Sequence, residues 1–152
     1  MRFPSRADTL GFVRAVLLAA LVLGLIGTLT ELFLLEHTED VWQWAPIVLM
    51  AVTLLVLAWF GLSRAPASLR TVQWLMGLFL ISGLLGVWLH YKGNVEFELE
   101  MYPDLSGLTL FRDAMMGATP SLAPGTMIQL GMIGLAWAFR HPAGRTVASS
   151  EP

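Results

Sequence analysis

Apolar residues fall into four long runs separated by short polar breaks, and only one stretch alternates strictly between apolar and polar. The runs cover residues 11–35 (GFVRAVLLAALVLGLIGTLTELFLL), 44–62 (WAPIVLMAVTLLVLAWFGL), 72–89 (VQWLMGLFLISGLLGVWL) and 122–139 (LAPGTMIQLGMIGLAWAF). A helix needs about 20 mostly apolar residues to cross a hydrocarbon core of about 30 Å. Backbone groups in lipid must bond within their own segment, so runs of this length predict helices. Arg14 and Glu31 stand near the two ends of the first run, and the second and third carry no charge. The fourth is the shortest and opens on Pro124, which suits a helix start because the missing N–H would have no partner there. The expected fold is an all-α membrane protein, an antiparallel four-transmembrane-helix bundle over residues 11–140. A cytoplasmic tail (1–10) is expected to precede it and a disordered cytoplasmic tail (141–152) to follow. Arg2 and Arg6 ahead of the first run resemble a signal peptide, but the apolar run is too long and no small-residue cleavage site closes it, so a retained helix is expected.

The alternating stretch lies in the outer segment, residues 90–121. In 94–101 (NVEFELEM), Val95, Phe97, Leu99 and Met101 alternate with Glu96, Glu98 and Glu100. Period-two alternation predicts a half-buried strand. A lone strand is unstable, so its apolar row has to pack on the bundle or pair, unless the segment is an extended arm. Asp104 is a candidate N-cap for a helix over 104–116. Leu105, Leu108, Phe111 and Met115 then share one face, Ser106, Thr109 and Asp113 the other. Gly117 suits the position that ends it, and Pro120 stops continuation. This amphipathic helix is expected on the outer membrane surface. A hairpin pairing 95–102 with 108–113 is the alternative.

Composition agrees with a lipid environment. The chain of 152 residues is 56% hydrophobic and 13% charged, about half the charge of a soluble domain. A net charge of −2 gives no case for nucleic-acid binding. The absence of cysteine excludes disulfides, thiol nucleophiles, Cys-ligated zinc or iron–sulfur sites and c-type haem. It also excludes the quinone-linked disulfide-forming and vitamin-K-epoxide-reductase-like four-helix classes, which need cysteines.

Charge sets the expected orientation, because cytoplasmic loops are rich in Lys and Arg. Four crossings put both termini and residues 63–71 on one side, with seven of the nine basic residues: Arg2, Arg6, Arg14, Arg64, Arg70, Arg140 and Arg145. The other side receives nine of the eleven acidic residues, so both termini are expected in the cytoplasm of a bacterial inner membrane. Trp42, Trp44 and Trp88 at outer helix ends, and Trp59, Trp74 and Trp137 at inner ends, read as an interfacial belt. Small residues offer packing faces: Ala20, Gly24 and Thr28; Ser82, Gly83 and Gly86; Gly125, Gly131 and Gly134.

Candidate chemistry gathers on the outer half. An intramembrane carboxylate is by default a site residue, which singles out Glu31, although it stands only one turn from the end of its run, where it can reach water. With His90, Gln129 and Thr28 it forms a candidate ligand or partner pocket. The plainer readings are a helix-packing hydrogen bond for Gln129 and a bond from Thr28 to its own helix. His37, His90, Glu96 and Glu98 form a candidate metal set, since imidazole with carboxylate suits Zn, Mn or Fe, yet no familiar ligand spacing links them. Glu96, Glu98 and Glu100 also suit a divalent cation or a basic partner, against the plainer reading of a solvated face. No cofactor is expected beyond such a cation. The methionines of the outer half read as gap fillers rather than copper ligands, and no nucleophile elbow or phosphate loop is present.

The expected function is non-enzymatic: an accessory or interaction subunit whose acidic outer face docks a membrane-protein partner, a second copy or a cation. The alternatives are a transporter or channel component using Glu31, His90 and Gln129, and a membrane enzyme acting on a lipid or quinone with His90 as base and Glu31 orienting it.

Overall fold

The first helix is fixed at its start by a reciprocal cap. Ser5 Oγ accepts from the Asp8 N–H at 3.2 Å, and Asp8 Oδ2 accepts from the Ser5 N–H at 3.0 Å, so two otherwise orphaned donors are satisfied together. The structure, a computed structural model, describes residues 5–144. It contains five α-helices among those residues: α1 (Arg6–Leu34), α2 (Val41–Ser63), α3 (Pro66–Met101), α4 (Gly107–Met115) and α5 (Gly125–Ala138), followed by a 3₁₀ turn at Pro142–Gly144. The first three are long and apolar enough to cross a membrane. At 14 residues, α5 is shorter than the run of 122–139 and than the about 20 residues of a full crossing. The chain is thus an all-helical protein with three membrane-length helices. It divides into two units, residues 80–129 and the described residues on either side of them.

In the larger unit, α1 ends in a turn where the His37 N–H donates to Leu32 O and the Glu36 N–H to Phe33 O. That pattern requires a left-handed residue at Glu36, whose φ is 53°. Asp40 caps α2 by accepting from the N–H groups of Trp42 (2.7 Å) and Gln43 (3.0 Å). Two residues, Arg64 and Ala65, join α2 to α3; Arg64 takes the left-handed conformation (φ 51°) and Pro66 opens the new helix. The core is built from Leu21 and Leu25 of α1, Met50, Leu57 and Phe60 of α2, Val72, Met76 and Phe79 of α3, and Leu130 and Trp137 of α5. Gly24 receives the side chain of Leu130, and Gly134 that of Met76, so these two glycines act as the small-residue faces anticipated from their spacing. Ala20 is exposed instead.

In the smaller unit, Gly83 and Gly86 admit the turn that leads into α5. A Cβ at Gly83 would lie 2.9 Å from Ile128 N and 3.0 Å from Pro124 O, both main-chain atoms that cannot swing aside.

Several expectations are corrected. Residues 94–101 are not a strand or an extended arm but the last turns of α3, and no strand occurs among the described residues, so the hairpin alternative fails too. Spacing of two, repeated, is also spacing of four: Val95 with Leu99 and Phe97 with Met101 are i,i+4 pairs that stack along a helix. Glu, Leu and Met are strong helix formers, extending a formed helix carries no nucleation cost, and a strand here would have had no partner. The helix rotates the acids: Glu96 and Glu100 stand about 40° apart, Glu98 about 160–200° from both. Asp104 is not an N-cap. Ser106 occupies that position without a side-chain cap bond, and α4 starts at Gly107, whose φ of +61° favours glycine. Helix α1 begins at Arg6, within residues 1–10, and a 3₁₀ turn covers Pro142–Gly144, while 145–152 lie outside the described residues. Trp137 is no belt residue: it is 2% exposed, whereas the other five tryptophans are exposed.

Candidate functional site

The smaller unit is organised by one polar side chain. Asn94, 3% exposed, projects from α3 at the segment that follows α4. Its Nδ2 lies within hydrogen-bond distance of Ala114 O (2.9 Å), Thr119 O (2.6 Å) and Ser121 Oγ (3.1 Å), and its Oδ1 accepts from the Thr119 N–H (3.2 Å). Ser121 Oγ, also buried, donates to Ala114 O at 3.1 Å. The two carbonyls accept and the Thr119 N–H donates, so the amide has one orientation that satisfies the network. One turn earlier on the same face of α3, His90 Nδ1 meets Pro120 O at 3.0 Å. Residues 114–121 are therefore held through their main chain and the Ser121 hydroxyl. Neither Asn94 nor Ser121 stood out in the sequence, because a strand beginning at 94 hides the i,i+4 relation to His90.

This lock leaves an open groove of about 410 Å³ between the end of α3 and α4. Its apolar lining is Phe97, Met101, Tyr102 and Met116, all at least half exposed; its charged lining is Glu98, Arg112 and Asp113. Leu108 of α4 is 81% exposed and Phe111 half exposed, with the Phe111 ring 5.9 Å from Tyr91. The end of α3 and α4 thus present apolar and charged groups side by side on a braced support.

The candidate site residues are placed as follows. Glu31 is exposed in the last turn of α1, and Thr28 is half-buried one turn earlier. Neighbouring Thr30 bonds its own helix through Ile26 O (2.8 Å), as threonines in helices commonly do. Gln129 is exposed on α5. The Nδ1 of His90 is engaged by Pro120, which makes it a positioning group for residues 114–121. Of the candidate metal ligands, His37 is half-buried in the turn after α1, Glu96 pairs with Lys92 at 3.3 Å, and Glu98 lines the groove. Among the described residues no three His, Asp or Glu side chains are drawn together as a metal site.

The arginine-rich end of the larger unit has its own construction. Phe60, Trp137 and His141 form a triangle of rings with centroids 5.2 Å apart. The Arg14 guanidinium donates to Arg140 O (3.1 Å) and Phe139 O (3.4 Å), covering carbonyls left open where α5 ends. Burial, and then the nearby charges of Arg14 and Arg64, push the His141 pKa below the ordinary histidine value. Comparison with protein-family models, with curated proteins and with solved structures finds no match for this chain.

Proposed function

We propose that this chain crosses the membrane four times with both ends cytoplasmic, and that its outer segment docks a membrane-protein partner, as a non-enzymatic accessory subunit. Support for four crossings comes from the basic and acidic residues, which separate cleanly only if residues 122–139 also cross. In that arrangement α5 is a short fourth span, and a short span is accommodated by local thinning of the bilayer and by neighbouring helices.

The observation that carries the docking proposal is the groove beside α4. Phe97, Met101, Tyr102 and Met116 remain exposed on a segment that Asn94 and His90 brace, with Glu98 and Asp113 beside them. Aromatic and methionine side chains on a rigid support are the usual anchors of an interface. The flanking carboxylates favour an apolar partner segment that carries Lys or Arg. The test is a photo-crosslinking residue placed at Met101 in the native membrane, with one at Leu55 on α2 as control. A discrete adduct from position 101, absent from position 55 and lost in Glu98→Lys/Asp113→Lys, is expected. A partner-free, monodisperse chain with no adduct at 101 overturns the proposal.

A further inference from the structure

A groove of about 400 Å³ opens in the larger unit between the first turns of α3 and the end of α5. That volume falls in the ordinary range of small-molecule sites, about 300–1,000 Å³. Buried Leu69 and Ala138 form its floor, and Arg70, Gln73, Arg140 and His141 stand around it. Each of these four side chains can donate a hydrogen bond, and among the described residues no carboxylate lines the groove.

The positive charge there has no carboxylate partner among the described residues. Among the described residues no arginine is paired with a carboxylate; the ion pair present is that of Lys92 with Glu96. Asp8, the acidic residue described at this end of the chain, is taken up by Ser5. Arg14 already covers the carbonyls at the end of α5, so the charges of Arg70 and Arg140 are not spent on them. Two guanidiniums and an amide lining one groove suit a phosphate group, which accepts paired N–H bonds from a planar fork better than from a point charge. Trp74 and Phe139, next in sequence to Gln73 and Arg140, are 78% and 66% exposed. Exposed apolar rings on the two segments that line a basic groove suit a ligand with a phosphate head and hydrocarbon chains.

We propose that this groove binds a phosphate ester anion, with the headgroup of an anionic phospholipid as its occupant. The inference does not depend on the outer segment docking a partner.

The test uses the purified full chain in detergent, with native mass spectrometry and thermal unfolding after addition of phosphatidylglycerol, phosphatidylcholine or inorganic phosphate. Phosphatidylglycerol is expected to be retained with roughly tenfold preference over phosphatidylcholine, a difference of about 1.4 kcal/mol. Arg70→Gln/Arg140→Gln should remove the preference. So should Gln73→Trp, which fills the groove at constant charge, while Arg6→Gln, which deletes a charge outside the groove, should keep it. Stabilisation by inorganic phosphate that the double variant abolishes, without any lipid preference, makes a free phosphate ester the occupant of the same site. A wild-type chain that shows neither effect overturns the proposal, as does a preference that survives Gln73→Trp or falls equally in Arg6→Gln.

Discussion

Asn94 and Gly117 are fitted to each other: a Cβ at position 117 would stand 2.6 Å from Asn94 Cγ and 2.9 Å from both its amide atoms. Gly117 does not take the left-handed conformation, which among the described glycines belongs to Gly107. Its lack of a side chain serves proximity rather than backbone freedom.

That fit predicts a specific non-additivity. Gly117→Ala should destabilise the chain by about 1–3 kcal/mol through overpacking. Asn94→Ala should cost a similar amount, because it leaves the Thr119 carbonyl and N–H without their partner and the Ala114 carbonyl with Ser121 Oγ alone. In the double variant the clash has gone with the side chain, so the sum should fall short of the two singles by about 1 kcal/mol. A double-mutant cycle measured by denaturant unfolding in detergent reads this directly. Strict additivity would contradict the contact.

Glu36→Gly should stabilise the turn between α1 and α2. A non-glycine residue in the left-handed region costs roughly 1–2 kcal/mol, offset in part by the greater freedom of glycine in the unfolded chain. The expected gain is about 0.5–1 kcal/mol, seen as a higher unfolding midpoint. Glu36→Ala supplies the control, since it removes the same charge while keeping the Cβ, and should give no gain. Equal effects from the two would place the cause in charge rather than conformation.

His141 predicts a pH dependence with a definite sign. Its pKa in the folded chain lies below the ordinary 6.5, chiefly through burial and then through Arg14 and Arg64. Above pH 6.5 the imidazole is neutral in both folded and unfolded chains and its contribution is fully present. As pH falls through 6.5 the unfolded chain takes up a proton that the folded one resists, so stability declines until the lower folded value is passed. His141→Phe retains a ring against Phe60 and Trp137 but cannot titrate. Its stability between about pH 7 and pH 5 should therefore fall less steeply than that of the parent. Identical slopes would refute the assignment.

How much of this was legible beforehand follows from where the information sits. The runs that became α1 and α2 are uninterrupted, and their periodicity is irrelevant once length alone demands a helix; both were readable to within five residues. The glycine faces at Gly24 and Gly134 were readable as well, because close approach leaves a compositional trace. The fate of residues 94–101 was not. Alternation satisfies both a strand and paired i,i+4 contacts, and the choice is made by the helix already running into the segment from residue 66. The alternation hid Asn94, and with it the brace of residues 114–121. Trp137 was misassigned for a related reason: position along a helix says how deep a side chain lies, whereas rotation about it says whether it meets Phe60 or lipid.

Asn94 grips Ala114 and Thr119 by their peptide groups, and His90 grips Pro120 the same way. Any residue supplies those carbonyls, and any but proline the Thr119 N–H. Met115, Met116, Ala118 and Leu122 can therefore be exchanged wholesale without releasing the clasp. Evolution, or a protein engineer, is free to repaint this face for a new acquaintance while the frame beneath it stays as it is.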